Sequence, residues 1–322
     1  MVLYHLLIMV LGIVLLNFGA SGLVKGSARL AKGLGISPIL IGLTAVAFGT
    51  STPEFVVSLV AAARHQIGIS FGNIVGSNIA NIGLILGLSA LISPLRVAKG
   101  VLNRELPILM VVTALLLIFS VNGVFSKNEG IVFCGLAIVF IGYIIRSGLK
   151  GNSGLPDYTR EIPRDPPKYL KDSLYVLGGI LLLLGGSHLV VLAGTGLMRA
   201  FGVSETVIGL TVIAVGTSLP ELATSIVSVL KGETEICIGN VIGSNIFNTL
   251  FILGGVALFG DIHFDKALII AQLVLLVVMT LSLFPILKSD REVDKVEGGL
   301  LLVAYAMFIL LVFYGPALGF GR

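Results

Sequence analysis

Two carboxylates stand in apolar surroundings that hold no basic residue to neutralise them. Glu54 ends the run Gly49-Thr50-Ser51-Thr52-Pro53-Glu54, and Glu221 ends the run Gly216-Thr217-Ser218-Leu219-Pro220-Glu221. A lone carboxylate at the centre of a membrane helix costs on the order of 2.5 kcal/mol or more, so it must face protein, water or a bound cation. Neither apolar segment contains Lys or Arg. A cation is the simplest partner for the pair, and a shared proton is the other.

Each Glu follows a proline. Pro53 has no backbone N–H and its ring crowds the carbonyl of Gly49; Pro220 does the same to Gly216. The carbonyls near Ala47 and Gly49, and near Ala214 and Gly216, are therefore expected to leave helical hydrogen bonding. Irregular backbone at membrane depth is tolerated only where it lines a cavity or is covered by protein. Carbonyls, hydroxyls and two carboxylates form an all-oxygen shell, which suits hard cations such as Ca²⁺ and Na⁺. A second pair of runs supplies a facing wall. Asn73, Ser77 and Asn81 recur at every fourth position, on one helix face, and Asn240, Ser244 and Asn248 repeat that face. Their oxygens can ligate a cation, brace the carboxylates or glue helices together. Gly72, Gly76, Gly239 and Gly243 leave room for close approach.

The elements that position these residues are membrane helices. Of the 322 residues, 56% are hydrophobic and 12% charged, with a mean hydropathy of +1.06. A soluble chain carries about twice that charge. Ten apolar spans are expected, near 2–24, 36–62, 68–95, 104–122, 129–147, 173–198, 204–230, 235–260, 266–287 and 297–318. Each is long enough to cross about 30 Å of hydrocarbon, and the alternation of a membrane barrel is absent. The N-terminus lacks a basic leader segment, so the first span is expected to be retained.

The chain also repeats itself at a constant offset of 167. Gly42-Leu43-Thr44 returns as Gly209-Leu210-Thr211, Pro53-Glu54 as Pro220-Glu221, and Gly76-Ser77-Asn78-Ile79 as Gly243-Ser244-Asn245-Ile246. Five spans per half is an odd number, so the second half enters the membrane from the opposite side. The expected fold is an all-α membrane protein of ten transmembrane helices in two inverted-topology repeats of five: 1–147, a linker at 148–172, and 173–322. Inverted repeats with interrupted helices at matching places mark the midplane site of many secondary transporters. Basic residues set the orientation. Lys25, Arg29, Lys32, Arg96, Lys99, Arg104 and the linker's Arg and Lys fall on one side; Arg64, Lys127, Arg199, Lys266 and Arg322 fall on the other. The expectation is a multi-pass protein of the plasma membrane, with both termini outside and the linker in the cytoplasm.

Other residues offer less. Cys134 and Cys237 are read as small buried hydrophobes, and His5, His65, His188 and His263 lack metal-ligand spacing. Asp261, Asp265, Asp290 and Asp294 are read as solvated loop charges. The basic residues lie in loops between spans and do not point to nucleic acid. A channel would need a continuous pore, which interrupted inverted halves disfavour. An intramembrane protease would need a His-Glu metal motif, a paired Asp signature or a Ser-His pair, and none is recognisable.

At the paired runs, including Gly72-Asn73-Ile74-Val75-Gly76-Ser77-Asn78-Ile79-Ala80-Asn81 and its copy from Gly239, the sequence resembles the sodium/calcium exchanger family of the calcium/cation antiporters, in its prokaryotic form without regulatory domains. The resemblance implies helices two, three, seven and eight around the ions, and long tilted helices one and six that slide to switch access. It implies ligands at Ala47, Thr50, Ser51, Glu54, Ser77 and Asn81, and at Ala214, Thr217, Ser218, Glu221, Ser244 and Asn248. Some relatives, potassium-dependent ones among them, carry Asp where Asn248 stands, so two carboxylates remain here and potassium coupling is disfavoured. No enzyme activity or cofactor is implied; the partners are the transported Ca²⁺ and Na⁺ and the bilayer, with a monomer as the working unit. The expected function is Ca²⁺/Na⁺ antiport by alternating access. The alternative is a Ca²⁺/H⁺ or other divalent-cation antiporter on the same fold.

Overall fold

The structure is a computed structural model that describes residues 2–64, 67–97, 100–149, 168–201, 214–264, 266–289 and 291–314. Most of the expected linker, the start of the expected seventh span at 204–213, His65, Asp265, Asp290 and the C-terminal 315–322 lie outside the described residues.

Apolar runs become helices throughout, because in hydrocarbon every backbone polar group must be satisfied within its own segment. In chain order they are α1 (Val2–Leu34), α2 (Pro38–Thr50), α3 (Thr52–Ala63), α4 (Gly68–Ile92), α5 (Val101–Ser120), α6 (Lys127–Ser147), α7 (Tyr169–Ala200), α8 (Ala214–Thr217), α9 (Leu219–Leu230), α10 (Thr234–Ala257), α11 (Ile269–Lys288) and α12 (Lys295–Val312). Among the described residues, eight helices are long and apolar enough to cross a membrane, and α2 with α3, bent by 45°, makes a ninth. α4 and α10 are the most enclosed of them, whereas α1, α6, α7 and α12 turn large apolar faces outward.

The breaks fall at the prolines. Ser51 separates α2 from α3 with φ −79 and ψ 7, and Ser218 separates α8 from α9 with φ −88 and ψ 6. In each case Pro occupies the first turn of the new helix, where its missing N–H costs nothing. Further irregularity sits at matched places. α4 widens to a π-helix over Asn81–Leu86, and α10 does so over Asn248–Leu253. Such widened turns are frequent at functional sites.

α1 and α7 run antiparallel along nearly their whole length, joined by a seam of small residues. A Cβ at Gly186 would lie 2.8 Å from the Gly12 carbonyl oxygen, and one at Gly179 would lie 2.7 Å from that of Gly19. Neighbouring Gly178 and Gly185 face open space. Backbone-to-backbone approach of this kind is how membrane helices gain van der Waals contact without a hydrophobic driving force.

Two short antiparallel ribbons tie the halves together. β1 (Leu95–Arg96) pairs with β4 (Glu292–Val293), and β2 (Val124–Phe125) pairs with β3 (Ile262–His263). β3 stands where the sequence offset carries β1, and β4 stands within one residue of where it carries β2. The two ribbons are therefore the same pairing seen from either half.

The glycine seam gives a paired prediction. Gly179→Ala and Gly186→Ala should each destabilise the protein by about 1–3 kcal/mol through forced separation of α1 and α7. Gly178→Ala and Gly185→Ala should be near neutral. Thermal unfolding of the purified protein in detergent distinguishes the two pairs.

Candidate cation site

The two broken helices bring their carboxylates into one buried cluster. Glu54 lies in the first turn of α3 and Glu221 in the first turn of α9, where the helix dipole favours negative charge. Both are fully enclosed. Serine at a helix start ordinarily caps its own N–H groups; neither Ser51 nor Ser218 does so. Each donates instead across the molecule. Ser51 Oγ donates to Glu221 Oε1 at 2.9 Å, and Ser218 Oγ donates to Glu54 Oε1 at 3.1 Å. The offset that carries Ser51 onto Ser218 carries Glu54 onto Glu221, so these two bonds are one bond and its image.

α4 and α10 close the cluster. Ser77 Oγ donates to Glu54 Oε1 at 3.4 Å and lies 3.3 Å from Ser218 Oγ. Thr50 donates its hydroxyl to Asn240 Oδ1 at 2.9 Å, with the Ala47 carbonyl at 3.3 Å as a second acceptor. Asn240 spends both amide hydrogens as well, on Ser225 Oγ at 3.1 Å and on the Glu221 carbonyl at 3.3 Å. With its oxygen and both hydrogens engaged by protein, Asn240 acts as a brace. Asn73 makes the matching bond to Ser58 Oγ at 3.3 Å.

Against these satisfied groups stand the ones that lack a partner. Glu54 Oε2, Glu221 Oε2, Asn81 Oδ1, Asn248 Oδ1 and Ser244 Oγ are buried and have no protein hydrogen-bond partner. Four of the five accept hydrogen bonds and cannot donate one while the carboxyls are ionised, and the fifth is a hydroxyl with lone pairs to spare. Buried polar atoms without a partner need an explanation. Oxygens enriched in acceptors and bearing two formal negative charges can hold a desolvated hard cation.

The residues named from sequence fall as follows. Thr50, Ser51, Glu54, Ser77, Asn81, Ser218, Glu221, Ser244 and Asn248 are buried on the elements that meet here. Thr217 is buried beside Ser218 on α8. The Ala47 carbonyl also accepts the Ser51 N–H at 2.9 Å, so helical bonding persists there despite Pro53. The Ala214 side chain lies outside the described residues, and the Gly216 carbonyl, deprived of a helical donor by Pro220, accepts from Ser187 Oγ at 2.6 Å. Its release from the helix is as expected, but α7 rather than an ion meets it. Among the described residues, no group of three or more His, Cys, Asp and Glu gathers as a metal site. Cys134 and Cys237 are free thiols.

Sequence reading passed over Asn78, Asn245 and Thr249. All three are buried between α4 and α10, and they hydrogen-bond to one another or to Asn81 and Asn248. The signal was present, since Asn78 and Asn245 belong to the repeated Gly-Ser-Asn-Ile runs.

Comparison with known proteins gives the chain a family. The sodium/calcium exchanger protein family matches the chain twice, over residues 4–146 and 172–314. The protein CaxA of Alkalimonas amylolytica is 38% identical, over 94% of this chain and 96% of its own. The sodium/calcium exchanger MaX1 of Methanosarcina acetivorans is 31% identical, over 98% of this chain and 100% of its own. The solved structure of the sodium-calcium exchanger NCX_Mj soaked with Na⁺ and Ca²⁺ superimposes with a TM-score of 0.83 at 33% identity, covering 96% of this chain and 98% of that one. With one family matched in both halves and full-length relatives above 30% identity, the chain belongs to the sodium/calcium exchanger protein family.

Proposed function

We propose that this protein exchanges Ca²⁺ for Na⁺ across the plasma membrane, binding the ions between the broken helices at Glu54 and Glu221. The observation that carries this reading is the set of partnerless buried oxygens on Glu54, Glu221, Asn81, Asn248 and Ser244. Two carboxylates neutralise one Ca²⁺, so the loaded site crosses the low-dielectric interior without net charge. Na⁺ ions competing for the same carboxylates and for the flanking oxygens of Ala47, Thr50, Ser51, Ser77, Ala214, Thr217 and Ser218 would enforce exchange. More than two Na⁺ per Ca²⁺ would make each cycle electrogenic.

Ten spans in two inverted repeats, 1–147 and 173–322 about a cytoplasmic linker at 148–172, fit this mechanism. The image-related bonds Ser51 to Glu221 and Ser218 to Glu54 support it, as do the two exchanged ribbons. In such a frame the α1–α7 pair slides as a unit, exposing the site to one side and then the other. The basic ends of the helices favour termini outside. One chain supplies both halves of the site, which favours a monomer as the working unit.

The decisive experiment is ⁴⁵Ca²⁺ uptake into proteoliposomes loaded with Na⁺, beside K⁺-loaded vesicles and vesicles under an imposed pH gradient. Uptake that requires internal Na⁺ is expected; uptake that follows the proton gradient and ignores Na⁺ would make the protein a Ca²⁺/H⁺ antiporter. Glu54→Gln and Glu221→Gln should each abolish uptake in protein that still elutes as a folded monodisperse species. Asn248→Asp adds a third carboxylate and should shift the Ca²⁺-to-Na⁺ preference, read as the Na⁺ concentration that halves Ca²⁺ uptake. An unchanged value would remove Asn248 from the shell.

A further inference from the structure

The rest of the buried polar network between α4 and α10 has a direction that can be traced from fixed points. The first fixed point is the backbone carbonyl of Asn78, which only accepts. Asn245 Nδ2 donates to it at 3.2 Å, so the side-chain oxygen of Asn245 must face the other way. That oxygen meets Asn81 at 2.9 Å, and Asn81 must therefore present its NH₂ group there. The second fixed point is the backbone carbonyl of Asn245. Thr249 Oγ1 lies 2.8 Å from it, close enough that the hydroxyl hydrogen must sit between the two oxygens. Thr249 is then an acceptor toward Asn78 Nδ2, at 2.8 Å. This turns Asn78 Oδ1 toward Asn248, which presents its NH₂ group at 3.2 Å. An amide turned the wrong way at any step would set two acceptors or two donors against each other.

Both chains end alike. Asn81 and Asn248 spend an amide hydrogen on the network and keep their oxygens buried and without a protein partner. The bond from Asn81 to Asn245 is the image of the bond from Asn248 to Asn78, each crossing from one half to the other. Both receiving residues stand in α-helix just before the widened turns that begin at Asn81 and Asn248.

We propose that Asn78, Asn245 and Thr249 are positioning residues: anchored on two backbone carbonyls, they hold the Asn81 and Asn248 amides so that only oxygen faces the ion. The proposal rests on the cation-site reading above. Without these partners each amide is free to turn its NH₂ group inward, which opposes a cation. Asn78 acts through Asn248, and Asn245 acts through Asn81.

The test is equilibrium ⁴⁵Ca²⁺ binding to the purified protein in Na⁺-free buffer, with variants arranged as double-mutant cycles. Asn78→Leu and Asn245→Leu should each weaken Ca²⁺ binding about tenfold. Asn78→Leu should cost nothing further once Asn248→Ala is present, and Asn245→Leu nothing further once Asn81→Ala is present. The crossed combinations, Asn78→Leu with Asn81→Ala and Asn245→Leu with Asn248→Ala, should add in full. Undiminished effects in the matched backgrounds, or tenfold losses that fail to appear, would overturn the proposal. Should the Leu variants not fold, Thr249 decides: Thr249→Val should weaken binding and Thr249→Ser should restore it, whereas equal binding by Val and Ser variants would overturn the proposal. Wild-type binding in both Asn81→Ala and Asn248→Ala would instead overturn the cation-site reading, and this proposal with it.

Discussion

The structure depends on keeping two carboxylates out of water without a cationic side chain to neutralise them. Among the described residues, the ion pairs are Arg29 with Asp172, Arg96 with Glu292 and Arg104 with Glu105, and none touches Glu54 or Glu221. What those carboxylates receive is a set of dipoles: the start of a half-helix behind each, a serine hydroxyl from the opposite half, and the amide and hydroxyl wall of α4 and α10. Dipoles, rather than a fixed countercharge, surround the pair among the described residues.

Reciprocity follows from that demand. Each carboxylate takes its shortest side-chain hydrogen bond from the opposite half. The serine at one helix break serves the glutamate beyond the other, the asparagine at one widened turn leans on the helix of its counterpart, and each ribbon takes one strand from either half. The glycine seam between α1 and α7 is a further contact between the halves, with backbone against backbone at Gly12, Gly19, Gly179 and Gly186.

Much of this was legible in the chain. Proline one residue before each glutamate located the breaks, and the offset of 167 located the partner positions. The first helix outruns its expected end at residue 24, continuing through Lys25, Arg29 and Lys32 to Leu34. Three things were not legible. The widened turns at Asn81 and Asn248 shift the backbone by one residue within an unbroken apolar run, which leaves periodicity almost unchanged. The two-residue ribbons are too short for any alternation to show. The direction of an asparagine amide is set by partners 164 to 171 residues away in sequence, so nothing in the sequence singled out the bonding of Asn78, Asn245 and Thr249.

The ribbons and the crossed bonds also bear on how the molecule is made. The ribosome delivers Glu54 long before Ser218, and at about 5–20 residues per second the wait for the matching residues is roughly 10–30 s. Throughout that interval the first half holds a membrane-embedded carboxylate whose shorter hydrogen bond, from Ser218, is not yet made, along with strands whose partners do not exist. The internal symmetry of the mature protein thus leaves its first half an unfinished surface until the second is made.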